Sequence, residues 1–351
     1  MATLTETAYY TRRSINWLIL AVIGYIILRF SWTIFVAAWL AIFPPKPPPP
    51  NNAFGVLPKL QFPQQSSPSG QLSFRLETIQ GRVPAASESA IVYFMPKSPA
   101  NLLALNETQK FAERLSLNPN PIQETKNIYR FADPNFILRS LRYDIVSNNF
   151  ILRYRFEEDT GVLNEKNFAG SDALLNEARS LLQSYGLYTN DIQLGKSSVT
   201  FFKLVGDKLV PTTSLSTADA VRVDFFRKTI GNTAVVIPNP DEGPINFIFS
   251  GSTNTKQRIL QFAYTYWPID YDTTARYGLK NSTVAWQELQ GGAGYIARYP
   301  KTGQAAVVRN VYLAYYDSYD PQTYLQPVFV FEGDNDFMAY VPAVAPPWVE
   351  N

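Results

Sequence analysis

The sequence predicts an α+β protein: one N-terminal transmembrane helix, then an extracytoplasmic domain of repeated helix-plus-antiparallel-meander units. Three observations carry that expectation. Ser14 to Phe43 is an almost uninterrupted apolar run that stops at Pro44-Pro45-Lys46-Pro47-Pro48-Pro49-Pro50. Beyond Leu72, short segments alternate apolar and polar residues with the period of a strand and are closed by Gly, Asn, Asp or Pro. Between them lie stretches whose apolar residues recur three and four apart, the spacing of an amphipathic helix.

The apolar run comes first. A helix rises ~1.5 Å per residue and a hydrocarbon core is ~30 Å thick, so roughly 20 apolar residues suffice to cross. The run is longer than that, and longer than the apolar region of about 7–15 residues in a cleaved signal peptide. Its small residues Ala37, Ala38 and Ala41 lie inside the run. An uncleaved signal anchor is therefore expected, meeting the lipid bilayer through residues 14–43. Arg12 and Arg13 precede it and neutral Pro-rich sequence follows, which sets residues 1–13 in the cytoplasm and the rest outside. Trp17 and Trp39 stand near its ends, where aromatic belts form.

Arg29 interrupts the run between Leu28 and Phe30, on a helix face shared with Tyr25, Trp32 and Thr33. Two readings stay open. In one, the guanidinium stacks on an aromatic ring or meets the carboxylate of a partner helix. In the other, the span is about Gly24 to Phe43 and Arg29 snorkels to the inner interface. Ile15–Leu28 then needs a second apolar environment. The anchor residues are accordingly Arg12, Arg13, Trp17, Arg29, Trp32 and Trp39.

Residues 44–70, rich in Pro, Gln, Ser and Asn, read as a semi-extended spacer. A first α+β module is expected over 71–165 and a second, strand-rich part over 166–351. In the first, strands fall at Leu72–Ile79 and Ala90–Phe94. A helix follows, capped by Ser98 with Pro99 at its first position and with Leu102, Leu105, Phe111 and Leu115 on one face. Asn127–Phe131 is a strand, and Phe150, Leu152, Tyr154 and Phe156 alternate after the turn Ser147-Asn148-Asn149. The second helix carries Leu174, Ala178, Leu181 and Tyr185, with Ser171 or Asp172 as cap and Gly186 as terminator. Further strands are expected at Val199–Val205, Ala218–Ile230, Ala234–Ile237, Ile245–Phe249 and Ile259–Trp267. A third helix, Ser282–Gln290, stops at Gly291-Gly292, and strands at Gly294–Tyr299, Ala306–Tyr316, Tyr324–Glu332 and Asp336–Val341 close the chain.

What the chain lacks bounds its chemistry. It contains no histidine and no cysteine, so Ser-His-Asp and Cys-His catalysis, His- or thiolate-bound metals and disulfides have no residues to use. Lys+Arg 31 against Asp+Glu 29 leaves it nearly neutral, with no field for nucleic acid. Phosphate-binding glycine loops and a nucleophile elbow are absent from the sequence. Ser252 and Lys256 are spaced four apart, not the three of S-x-x-K. Non-enzymatic action without a cofactor is the expectation.

The C-terminal part also bears a likeness. Tyr277-Gly278-Leu279 leads into Ala285-Trp286-Gln287-Glu288-Leu289, followed by Val311 to Tyr316 and Gln326 to Gly333, ending in Ala339-Tyr340-Val341-Pro342-Ala343. It resembles the end of YycH- and YycI-type extracytoplasmic regulators and related PepSY-like modules. The resemblance covers about a quarter of the chain and implies a helix packed on antiparallel strands, and regulation of a sensor kinase through membrane and outer domains.

Three acidic constellations invite a ligand. Glu332-Gly333-Asp334-Asn335-Asp336 offers oxygens for Ca²⁺ but sits where a hairpin turn is needed. Asp270, Asp272, Asp317 and Asp320, among Tyr271, Tyr315, Tyr316 and Tyr319, would suit a sugar-binding cleft. Glu157-Glu158-Asp159 reads as a solvated loop. The expected function is a membrane-anchored binding or regulatory domain with a protein partner; the alternative is a structural component of an envelope or secretion assembly.

Overall fold

In the computed structural model, residues 4–43, 48–64, 72–99, 101–301 and 305–350 are described. They form two units, 1–49 and 50–351. The first is one continuous helix, α1 (Leu4–Ile42). Its stretch Arg12–Leu40 contains an 18-residue window with a mean hydropathy of 2.1, none of it buried within the protein. The helix is long and apolar enough to cross a membrane. Its C-terminal half carries a ladder of rings, Trp32, Phe35, Trp39 and Phe43, with successive centroids 6.0, 6.1 and 4.7 Å apart.

The second unit opens with strands β1 (Ser73–Leu76) and β2 (Ser89–Phe94), helix α2 (Ala104–Arg114) and strands β3 (Ile122–Gln123), β4 (Ile128–Ala132), β5 (Arg139–Asp144) and β6 (Phe150–Tyr154). Helices α3 (Ser171–Ser184) and α4 (Asn190–Gln193) precede β7 (Ser197–Val205), β8 (Lys208–Thr212), β9 (Ala220–Phe225), β10 (Ala234–Val236) and β11 (Ile245–Ser250). Then come α5 (Thr255–Arg258), β12 (Ile259–Tyr264), β13 (Asp270–Gly278), α6 (Ser282–Gln290) and β14 (Tyr295–Arg298). Strands β15 (Ala305–Tyr316), β16 (Tyr324–Gly333) and β17 (Met338–Pro342) finish it.

Two sheets result. The nine-stranded sheet is fully antiparallel in the order β3-β4-β5-β6-β12-β11-β9-β7-β8. The eight-stranded sheet is mixed: β15, β16, β17 and β14 run antiparallel, while β1 and β10 pair in parallel with the two halves of β15. Because β6 pairs with β12, a boundary near 165 would cut the nine-stranded sheet. The expected modules 71–165 and 166–351 are therefore replaced by one large, mostly β unit. Repeated helix-plus-meander units are not shown by this strand order.

Alternation drives the nine-stranded sheet. Phe150 and Leu152 are buried while Arg153 points out, and α2 and α3 cover their face with Ala112, Leu174, Ala178 and Leu182; Tyr154, also buried, joins a separate cluster with Phe156 and Phe202. Helix α3 ends where predicted, at a Gly186 with φ of 73°, but no side chain caps its start: Ser171 is already helical and Gly170 holds the cap position. Helix α2 likewise begins later than Ser98 and Pro99 suggest. Asn101 takes the N–H of Leu103 instead, and Leu102, expected on the buried face, is fully exposed. In the other sheet α6 matches its predicted limits because Asn281 accepts from the N–H of Thr283 at 2.8 Å and Gly292 turns the chain away with positive φ. Its Ala285, Trp286 and Leu289 pack on Phe329, Phe331 and Phe337.

The expected spacer is shorter than 44–70. Residues 50–64 belong to the domain: Leu57 is fully buried and exchanges backbone hydrogen bonds with Trp348 and Glu350, each 2.9 Å. Phe54 stacks on Tyr324 and Phe62 on Tyr295, at 4.7 and 4.9 Å. Residues 44–47 and 65–71 lie outside the described part.

Candidate functional site

All six anchor residues named from the sequence, Arg12, Arg13, Trp17, Arg29, Trp32 and Trp39, lie exposed on α1. At ~100° per residue, Trp17, Tyr25, Trp32, Phe35, Trp39 and Phe43 fall within a sector of about 80°. The remaining surface is chiefly Ile, Val, Leu and Ala. The sequence reading recorded the tryptophans at the ends but missed the sector; projecting the run on a helix would have found it. Arg29 flanks the sector, between a hollow lined by Tyr25, Leu28, Trp32 and Phe35 and another lined by Tyr25, Ile26, Phe30 and Thr33.

In the domain, the acids expected to share a cleft are drawn to different places, while Tyr271 and Tyr315 both pack edge-on against Tyr93, at 5.8 and 5.4 Å. Asp317 turns inward, between the two sheets. Asp270 lies on a bulge of β13, where it accepts the N–H groups of Asp272 and Thr273 at 3.0 and 3.1 Å. Asp320 alone borders an open cleft of about 460 Å³, between residues 58–64 and the turn after β15. The sugar-cleft constellation does not assemble. In the turn after β16, Asn335 and Asp336 adopt positive φ, and the carboxylates of Asp334 and Asp336 are held by Arg309 and Lys301 at 2.6 and 2.5 Å. That segment serves as a hairpin turn. Glu157 and Glu158 pair locally with Arg153 and Arg155, and Tyr154 donates to Asp159. Lys256 pairs with Asp133, not Ser252.

What sequence reasoning missed is a buried charge cluster where the chain crosses between the sheets. Arg227, in the β9–β10 connection, donates to Asp191 of α4 at 2.6 Å, to Asp317 at 3.0 Å and to the Trp267 carbonyl at 2.7 Å. Its guanidinium lies 4.7 Å from the Tyr266 ring centre, and Tyr266 itself donates to Asp191 at 3.1 Å. Lys228 approaches the other oxygen of Asp191 at 3.8 Å, so two cations face two carboxylates. Burial works against the arginine's charge, but Asp317, Tyr266 and Asp191 outweigh it and hold its pKa above the ordinary value. Met95, Ile230, Tyr315 and Leu325 form a small apolar core from the eight-stranded sheet and the same β9–β10 connection.

Local backbone makes this possible. The segment 226–228 runs beside 191–196, with Phe226 N–H on the Lys196 carbonyl and Lys228 N–H on that of Asp191. Gly195 sits so close that a Cβ there would fall 1.8 Å from the Phe226 carbonyl oxygen. Only glycine admits the approach. These contacts tie α4, the β9–β10 connection and the turn after β15 together as a clasp, with Asp317 Oδ1 left without a hydrogen-bond partner.

A second cluster ties the β4–β5 turn to α5. Asp133, with a fully buried side chain, receives Arg139 at 3.1 Å and Lys256 at 3.0 Å, and the N–H groups of Asn135 and Phe136. Burial alone would raise its pKa, but these donors bring it below the usual carboxylate value. Asp224 differs: burial wins over its bond to Arg222 and lifts its pKa. No family model and no curated protein matches this chain.

Proposed function

We propose that the protein is a single-pass membrane protein whose C-terminal domain acts outside the cytoplasm as a non-catalytic binding or regulatory module. The observation that carries this reading is α1, a helix whose apolar surface faces nothing within the protein. Arg12 and Arg13 at its start support the inward N-terminus. The likeness to YycH- and YycI-type regulators supports a membrane partner such as a sensor kinase.

The depth of the helix follows from comparing magnitudes. If only Gly24–Phe43 were immersed, Ile15, Trp17, Leu18, Ile19, Leu20, Val22 and Ile23 would stay in water with about half or more of their surface exposed. Full burial of one such side chain stabilises by about 1.5–3 kcal/mol, so leaving seven of them about half exposed forgoes roughly 5–10 kcal/mol. An arginine at the helix centre costs about 2.5–3.5 kcal/mol on insertion scales. That comparison supports the deeper placement. Trp17 and Trp39 are about 33 Å apart along the axis, which fits the two interfaces with a tilt of roughly 25°.

The alternative, a structural part of an envelope assembly, is favoured by the length of α1 beyond what a bare crossing needs. Protease added to intact cells tests the shared topology. The domain from Pro50 onward should be digested while the N-terminus is spared; a domain protected until lysis would overturn the reading.

A further inference from the structure

We infer that α1 docks a second transmembrane helix carrying an Asp or Glu carboxylate near mid-depth, and that Arg29 is the residue that recognises it. This rests on the membrane-spanning reading above. With Trp17 and Trp39 at the two interfaces, Arg29 lies about 18 Å from one and about 15 Å from the other along the axis. That is the middle of the hydrocarbon layer, where snorkelling to either surface is out of reach.

Among the described side chains of its own helix the charge has no acidic partner. Residues 14–43 contain no Asp or Glu, and Arg29 forms no ion pair or hydrogen bond among the described residues. The nearby hydroxyl of Thr33 is spent on the Phe30 carbonyl at 2.8 Å. A counter-charge must come from elsewhere.

Three occupants are conceivable, and charge decides among them. A second copy of this chain would bring another Arg29 and no carboxylate, placing like charges together in a low dielectric. A lipid phosphate lies at the interface, not at mid-depth. A different helix with an acidic side chain supplies the missing charge, and the planar fork of the guanidinium fits a carboxylate with two parallel hydrogen bonds. Shape agrees: the hollows flanking Arg29, about 670 and 420 Å³, are apolar and would receive that helix's side chains.

The test uses the full-length protein in its native membranes with a photoreactive phenylalanine analogue in place of Phe35, followed by identification of the attached peptide. The expected adduct is a transmembrane segment of another protein containing Asp or Glu. Arg29→Leu should reduce it roughly tenfold or more, whereas Arg29→Lys, which keeps the charge, should retain most of it. Replacing the partner's carboxylate by Asn or Gln should reduce it to the same degree. Adducts to lipid alone, to a second copy or to a helix without an acidic residue would overturn the proposal, as would an adduct indifferent to Arg29→Leu. Alkaline extraction of the same membranes separates the two readings: release of the protein would overturn the span itself, while retention without an acidic-helix adduct overturns only the docking.

Discussion

Arg227→Met removes the guanidinium of the clasp and keeps an apolar stem of similar length. It strands Asp191 and Asp317, whose side chains are only 9% and 7% exposed. Breaking a buried pair from one side costs about 3–5 kcal/mol, because the remaining charge has lost its partner but not its burial. Loss of the contact with Tyr266 adds about 0.5–2 kcal/mol, and Lys228, still facing Asp191, returns a similar amount. The net expectation is a loss of about 3–5 kcal/mol at pH 7. At roughly 2–4 °C per kcal/mol for large domains, Tm should fall by about 6–20 °C. The triple variant Arg227→Met/Asp191→Asn/Asp317→Asn leaves only Lys228 to find solvent and should recover most of that loss, within about 1–2 kcal/mol of wild type. Urea denaturation of the domain from Pro50, followed by circular dichroism and tryptophan fluorescence, measures both. A single variant within about 1 kcal/mol of wild type, or a triple variant no better than the single, would refute the clasp.

Two further outcomes follow from burial. Leu57→Ala should cost about 2–5 kcal/mol in the same denaturation assay, since Leu57 is wholly enclosed; a neutral result would mean that residues 50–64 are not part of the domain. Burial also pushes the Tyr143 hydroxyl up to about 12 and raises those of Tyr264, Tyr316 and Tyr340. Such groups keep their protons in the folded state and release them on unfolding, so their contribution is complete below about pH 10 and is lost as pH rises above it, by about 1.36 kcal/mol per pH unit per group. Tyrosinate absorbance should therefore appear in one cooperative step together with unfolding between about pH 10 and 12; gradual titration near pH 10 with the fold intact would contradict it.

Where periodicity and punctuation agree, the sequence was easy to read. Asn281 and Gly291-Gly292 delimit α6, and alternation from Phe150 to Tyr154 gives β6 and its buried face. Strand β13 went unseen because Asp270-Tyr271-Asp272-Thr273-Thr274 is polar and bulged, and its acids suggested a ligand more readily than pairing with β2. The docked segment did carry a signal: Phe54, Leu57 and Leu60 recur every third residue among prolines, the repeat of an extended polyproline-like strand with one apolar edge. The clasp carried none. Arg227 and Asp317 are 90 residues apart, and no local pattern distinguishes a charge that will be buried from one that will not.

That last distinction separates the domain from the helix. Inside the domain, Asp133 has Arg139 and Lys256, Asp224 has Arg222, and Arg227 has two carboxylates. Each of these buried charges has an opposite charge within the domain, although Asp317 Oδ1 and Arg139 Nε are left without a hydrogen-bond partner. Arg29 is the exception. Its surroundings on α1 are apolar and it forms no ion pair among the described residues; on the membrane-spanning reading proposed above, an arginine in hydrocarbon is tolerated where it is paired or lines a wet cavity. A lone helix has no cavity to line. On the proposed spanning, the physical argument that makes the domain's charges structural is the one that sends Arg29 outward, toward the acidic helix inferred above.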